Sequence, residues 1–491
     1  MKRSIAVLLL LSMLGASLAS CSETTSESDD DSSTVAPSAE ETVVEEEETE
    51  LTDGLPETKM NGFELNILHH SQEWLSWANN VLEAEEQTGE ILNDAIFDRR
   101  QVLEERFDAK IVTETRVEVG ADVLSSLAMA GDTSYDLCMM YDLRITGAIQ
   151  YLADMNELPY VSLDQAWWSP YASSIFVIGG KQYAASGNYS LSALSRAGGY
   201  AFNADIVTEF NLTSPYEYVK NNEWTIDNMY AMADAAVIDV DGDGQTTNAD
   251  QFGIEGSVKE HFLRMLFGSD IALITQDENG YPLFSLPTDE LAVTKMQHIL
   301  DLSSNGGWYN TTNTNVDNGD PMTSGTFKNG RCLFTVSNPH SLAGIRDYEF
   351  NVGFVPVPKY DETQERYYSP SFGAELSVLP ISYDVTSAEN IGILLEAMAF
   401  YTQQKIVPEY TETLIKSKYA RDAESAEMLT ICFDSIYFDF GINAWQEQVA
   451  AKLLQGSFVG LAGNFGSVLK SMEKSVQAEI KKLTKQIEKV G

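Results

Sequence analysis

The chain has 491 residues, with 31 Lys and Arg against 74 Asp and Glu, giving a formal net charge of −43. So strong a negative balance argues against nucleic acid as a partner and against docking flat on an anionic lipid surface, because phosphates would be repelled. Hydrophobic residues make up 44% of it, enough for a large core, and the length corresponds to two or three domains' worth of material.

At the amino end, Lys2-Arg3 precede an apolar run from Ile5 to Leu14. This is the charged and hydrophobic pattern of a secretory signal, too short for a permanent membrane helix. Leu18-Ala19-Ser20-Cys21 resembles a bacterial lipobox. The resemblance implies a signal peptide over 1–20, cleavage before Cys21, and acylation of that thiol and of the new amino terminus. Several acyl chains anchor stably where one binds only marginally. The plainer alternative is an ordinary secretory signal with an incidental Cys. On the first reading the chain works outside the cytoplasm, lipid-anchored at the outer face of the cell membrane. Residues 21–58 form an acidic, low-complexity linker carrying Asp29-Asp30-Asp31 and Glu45 to Glu48. Such a composition cannot bury a core and stays disordered. As a flexible coil it would reach roughly 35 Å.

The folded part is expected near Met60. Phe63, Leu65 and Ile67 alternate with polar residues, as in a strand ending at His69-His70-Ser71. Ile91, Leu92, Ala95, Ile96, Val102, Leu103 and Phe107 are spaced as one face of a helix. Ile111-Val112-Thr113 reads as a strand, Val123, Leu124 and Leu127 as a helix stopped by Gly131, and Tyr135 to Met140 as a strand buried on both faces. Strand, helix, strand, helix, strand is an α/β pattern with a parallel sheet. Ligands of such sheets sit beyond the carboxyl ends of strands, where Tyr141, Asp142 and Arg144 lie. Thr225 is a plausible N-cap for a helix burying Ile226, Met229, Tyr230 and Ala233. Phe327 to Phe334 puts a helix end and Gly330 before a strand, and Asn351 to Pro356 is another strand. Ser387 is expected to cap a helix with Ile391, Leu394, Leu395 and Met398 inward. Leu469, Met472, Val476, Ile480, Leu483 and Ile487 mark the last helix. No later stretch is long and apolar enough to span a membrane. Cys138, Cys332 and Cys432 sit in apolar contexts and read as free buried thiols, with one disulfide plus one free thiol as the alternative.

Asp239-Val240-Asp241-Gly242-Asp243-Gly244, with Asp250 at the twelfth position, fits a calcium-loop pattern with Asp in place of the final Glu. Asp239, Asp241 and Asp243 would supply side chains, Gln245 its carbonyl and Asp250 the closing carboxylate around a structural Ca²⁺. Asp is one methylene shorter than Glu, which disfavours bidentate closure, and Gln251-Phe252-Gly253 reads as a strand where an exit helix would follow. A solvated acidic turn is the competing reading.

The order Tyr135-Asp136-Leu137, Phe327 to Phe334, Gly353 to Lys359 and Lys418-Tyr419-Ala420-Arg421-Asp422 behind a lipobox resembles the extracellular solute-binding lipoproteins of bacterial ABC importers, the family 1-like group that includes sugar binders. The resemblance implies an α/β, two-lobed periplasmic-binding-protein-like fold, with lobe 1 at 59–187 and 373–418 and lobe 2 at 192–371 and 422–491. The chain would cross near Asn188, Phe372 and Tyr419, with a ligand cleft between the lobes. It further implies capture of a mono- or oligosaccharide, delivery to permease subunits, a monomer, and no catalysis.

Sugars are held by aromatic faces and planar polar side chains. The candidates are His70, Trp74, Asp142 and Arg144 in lobe 1, Asn188, Tyr189, Phe372 and Glu375 at the crossings, Asn338 and His340 after a lobe-2 strand, and Trp445 in the tail. For each aromatic, ordinary core packing competes. Trp167-Trp168 read equally as a packing patch. A peptide or other solute is the runner-up ligand. A surface-tethered glycan-active enzyme using paired carboxylates, or a sensor or adhesin on the same fold, are the rival classes.

Overall fold

The computed structural model describes residues 52–71, 82–169, 173–244, 249–304, 307–310, 325–342, 344, 348–414 and 423–489. Met1–Thr52 and Asp53–Gly491 are separate units, and all the described strands and helices belong to the second. The signal segment, Cys21, Trp74, Gln245 and Tyr419 lie outside the described residues.

The acidic stretch does not stay free up to Met60. Arg106, in the last turn of helix α1 (Ile91–Phe107), pairs with Asp53 and, at 2.9 Å, with Glu57. Lys59 Nζ donates to the carbonyls of Glu105 and Arg106 at 3.0 and 2.8 Å. The body therefore begins at about Asp53, because cations gathered at a helix carboxyl end give the last acids of the linker partners.

The first sheet holds β1 (Phe63–His70), β2 (Ala109–Arg116) and β3 (Leu137–Tyr141). β1 pairs in parallel with β2, from Phe63↔Ala109 to His70↔Arg116, and with β3 at Ile67↔Leu137. Helix α1 covers it with Ile96, Leu103 and Phe107, whereas Ile91 and Val102 of the expected apolar face are about half exposed. The stripe includes a buried arginine instead. Arg99 Nη1 donates to the Tyr189 carbonyl at 2.9 Å and to Thr402 Oγ1 at 2.8 Å. Helix α2 (Ala121–Ala130) ends at Gly131, whose φ of +60° is the left-handed conformation that glycine adopts without strain.

The second sheet is built from β4 (Gly199–Asn203), β5 (Phe252–Gly256), β6 (Trp308–Asn310), β7 (Cys332–Ser337) and β8 (Val352–Pro356), in the order β6-β5-β7-β4-β8. β4 runs antiparallel to β7 and β8. A turn, not a helix, precedes β7. Helix α3 (Ile226–Ala235) has Thr225 Oγ1 accepting from Asn228 N–H at 3.4 Å and buries Ile226, Met229, Tyr230 and Ala233, as its periodicity requires. It lies directly on β5. A Cβ at Gly253 would come within 2.2 Å of the Ala233 carbonyl oxygen. Helix α4 (Val258–Gly268) follows β5, with Ser257 Oγ as its cap.

The chain then returns to the first sheet. β9 (Glu375–Val378) pairs antiparallel to β3, giving the order β9-β3-β1-β2, so this sheet is not wholly parallel. Helix α5 (Ala388–Tyr401) buries Ile391, Leu394, Leu395 and Met398. Its Ser387 makes no capping bond. Asp384 instead caps the 3-10 turn just before it. Helices α6 (Ala423–Asp434), which packs on β8, and α7 (Phe465–Ile487) follow, with Ile480 of α7 only half-buried. Between the sheets the chain passes through Asn188–Ser190 and Leu191, which is left-handed at φ +56°. It passes again through Ser369–Pro370, paired in parallel with Ile436–Tyr437. Cys138, Cys332 and Cys432 are free and buried.

Candidate ligand cleft

The carboxyl ends of β1 and β3 bring His70 and the segment Tyr141 to Arg144 side by side. His70 is fully buried. Its Nε2 faces the Tyr141 N–H at 3.1 Å, its Nδ1 the Val119 N–H at 3.2 Å, and its own N–H donates to Glu375 Oε1 at 3.0 Å. Burial lowers the imidazole to about 4, against the Val117 carbonyl and the Glu118 charge, so the ring is neutral at pH 7. Glu375, at the start of β9, is itself buried and ties that strand to β1.

Asp142 is also fully buried. Its Oδ2 accepts from the Gly373 N–H at 3.0 Å and from Asn443 Nδ2 at 2.7 Å, and its Oδ1 from Leu143 N–H at 2.7 Å. Burial raises the carboxyl to about 6 despite those donors. Asn443 Nδ2 and Oδ1 reach Asp142 and the Asp439 N–H, so one carboxylate of the first sheet and one amide of the tail are locked together. Asp439 accepts from Leu273 and Gly441 N–H groups at 2.8 and 2.7 Å, and burial raises it to about 7.

Beside Leu143 and Arg144 opens a cavity of about 560 Å³. One wall is the amino end of α2 (Gly120 to Asp122) with Glu118, Arg144 and Thr146. The other is Ala444, Trp445 and Gln448, closed by Glu479, Lys482, Leu483 and Gln486 of α7. Thr146 Oγ1 donates across to the Ala444 carbonyl at 3.4 Å. Arg144 is half-exposed and is oriented by Glu118 at 2.9 Å. Trp445 stands edge-on to Phe440, with ring centroids 4.8 Å apart, and is 5% exposed. The edge of a ring, a guanidinium, two amides and several carboxylates around one hollow can pair the hydroxyls of a sugar.

The candidates are not all brought together. Arg144 and Trp445 share this cavity, whereas Asp142, His70 and Glu375 are buried in the fold and do not line it. Phe372 is held beside Arg264, 6.0 Å from its guanidinium, and near Phe267. Asn338 caps a short helical turn, accepting from Ser341 N–H at 3.0 Å, and His340 sits half-buried in that turn. Tyr189 is in the core of the first lobe, edge-on to Trp168 and hydrogen-bonded to Ser377. Asn188 lines a different cavity of about 770 Å³ with Gln403, Val407 and Phe433, its Nδ2 bonded to Gln403 Oε1 at 2.6 Å.

Sequence reasoning missed three charged groups between the lobes. Arg264 pairs with Glu260 one turn before it in α4, and Arg196 Nε donates to the Phe372 carbonyl at 2.9 Å. Burial works against the Glu260 charge, yet Arg264 and Arg196 hold its carboxyl below the usual range. The Glu260–Arg264 spacing of four was legible, but only the fold aims it inward. Also missed were Glu118, Asp122 and the α7 face, which lie far apart along the chain.

In the acidic loop, carboxylate oxygens of Asp239, Asp241 and Asp243 lie within 4.8 Å of one another, all exposed. Gly242 and Gly244 take φ of +71° and +74°, and their N–H groups bond Asp239. The bridge Ile238↔Gln251 closes the loop. Asp250 stands apart from that trio, buried, its Oδ1 accepting from the Val240 N–H at 3.0 Å.

No family model and no curated protein matches the chain, but solved structures do. The cyclic alpha-maltosyl-1,6-maltose binding protein from Arthrobacter globiformis aligns over 86% of this chain and 100% of its own, at TM-score 0.53 and 15% identity. UspC of M. tuberculosis aligns over 85% and 100%, at 0.55 and 12%. A cyclo/maltodextrin-binding protein complexed with maltotetraose aligns over 86% and 97%, at 0.50 and 14%. The fold is that of the two-lobed substrate-binding proteins. Among the described residues, no helix is long and apolar enough to cross a membrane.

Proposed function

We propose that this chain is an extracytoplasmic solute-binding protein that holds a carbohydrate between its lobes and passes it unchanged to an ABC permease. The observation that carries this reading is the cavity of about 560 Å³ in which Trp445 and Arg144 converge among hydrogen-bonding side chains. Its size falls within the range of small-molecule sites. Two of the similar solved proteins are described as binding maltose-type saccharides. Acylation of Cys21 would hold the body at the membrane, with the acidic stretch as its tether. Closure of the lobes around ligand would be absorbed at the crossings, where Leu191 and Gly373 already have positive φ.

The loop 239–250 is read as a structural Ca²⁺ site. The three converging carboxylates suit a hard cation; Gln245 would add its carbonyl, and Asp250 would have to leave its bond to the Val240 N–H to close the shell. The ion would neutralise like charges that Asp241 otherwise faces.

The test is a thermal-shift screen of the purified chain against mono- and oligosaccharides, then peptides, repeated with Trp445→Ala. A saccharide should raise the melting temperature of the wild type and not of the variant. Stabilisation by peptides alone, or conversion of a bound saccharide to products, would overturn the assignment.

A further inference from the structure

The cavity between Arg144 and Trp445 has a third wall, and it belongs to the carboxyl-terminal helix. Glu479, Lys482 and Gln486 follow one another at spacings of three and four, so they share one face of α7. They span two turns, about 10 Å of helix. Leu483 lies between them, 3% exposed, in the apolar stripe with Leu469, Met472, Val476 and Ile487. That stripe fixes the rotation of α7, so the polar face is held toward the hollow. The helix also packs against residues 149–151 of the first lobe, which ties its position to the wall that carries Arg144.

We propose that α7 is part of the ligand site and reads the length of the bound saccharide, with Glu479, Lys482 and Gln486 contacting units beyond the one at Trp445. This rests on the reading of the cavity as a carbohydrate site. A hollow that runs along two helical turns is longer than one sugar ring. A single unit at Trp445 would leave the α7 groups solvated, gaining nothing from them. A longer chain replaces that water with donors from Lys482 and Gln486 and acceptors from Glu479 and Gln486. Across the hollow, Glu118 and Asp122 offer acceptors to the same units. The groups are exposed or half-buried rather than sealed in the core, so truncating them spares the fold.

The test is calorimetric titration of the full chain with α-glucan, β-glucan, xylan and mannan oligosaccharides of increasing length. Affinity should rise with length in the series that binds. Lys482→Ala, Gln486→Ala and Glu479→Ala should each remove about tenfold at the longest member, the worth of one lost charge-assisted or amide hydrogen bond, and leave the shortest unchanged. Trp445→Ala should weaken every length. Equal affinities for wild type and α7 variants at all lengths would overturn the role of α7 and leave the carbohydrate reading standing. No binding by any series to the wild type would overturn both.

Discussion

Replacing Glu396 by Ala should destabilise the first lobe, although Glu396 touches no ligand site. The residue lies on α5 and is 1% exposed. Trp167 Nε1 donates to its Oε1 and Trp168 Nε1 to its Oε2, both at 2.7 Å, and the Ser162 N–H donates to Oε2 at 3.1 Å. Truncation leaves three donors without an acceptor, two of them indoles that are 5% and 0% exposed. Each orphaned donor costs about 1–3 kcal/mol. Relief of the carboxylate's own desolvation offsets part of that. The net loss should be about 3 kcal/mol, read as a fall of about 5 °C or more in melting temperature at roughly 2 °C per kcal/mol for a large body. Tryptophan fluorescence during guanidinium unfolding reports the same sites directly. Glu396→Gln, which keeps one acceptor, should fall between Ala and wild type. A melting temperature within 1 °C or so of wild type for Glu396→Ala would refute the view that this carboxylate holds the tryptophan pair in place.

Calcium at a hundred times its dissociation constant should stabilise the chain by about 2.7 kcal/mol, and Asp241→Ala should abolish that gain; a flat calorimetric titration together with an unchanged melting temperature would remove the ion from the account. Asp142 and Asp439 are raised to about 6 and about 7 by burial. Between about pH 4 and 7 the folded state therefore binds more protons than the unfolded one, and this contribution is present at the acid end and is lost as pH rises. For Asp142 it amounts to about 3 kcal/mol. The difference in melting temperature between pH 5 and pH 8 should shrink in Asp142→Asn, and an identical pH profile would count against the buried carboxylate. Gly253→Ala should cost about 1–3 kcal/mol by pushing β5 off α3; an unchanged unfolding midpoint would mean that the two can separate freely.

Much of the first sheet was legible because hydrophobic period alone specifies it. Leu65 and Ile67 alternate, the run ending at Met140 is apolar on both faces, and Gly131 follows the last turn of a helix. Thr225 and Gly244 were readable for the same reason: a cap or a tight turn is decided within a few residues. Where the sequence misled, a distant partner was at work. Val102 looked like core, but Arg99 took the inward position because the Tyr189 carbonyl and Thr402 hydroxyl await it. Tyr189 looked like a hinge contact for ligand, yet Ser377 and Trp168 hold it in the core.

The candidate site divides in the same way. Composition and local spacing determined the amino-terminal leader pattern, the acidic stretch, the calcium-type loop and the α/β order of elements. Only the tertiary structure decided that Arg144 and Trp445 face one hollow, that Asn188 faces another, and that Glu479, Lys482 and Gln486 close the first. Those residues come from segments separated by some three hundred positions. No local preference records such a meeting, because it is created by burial of the apolar faces that pack α7 and the tail against the lobes.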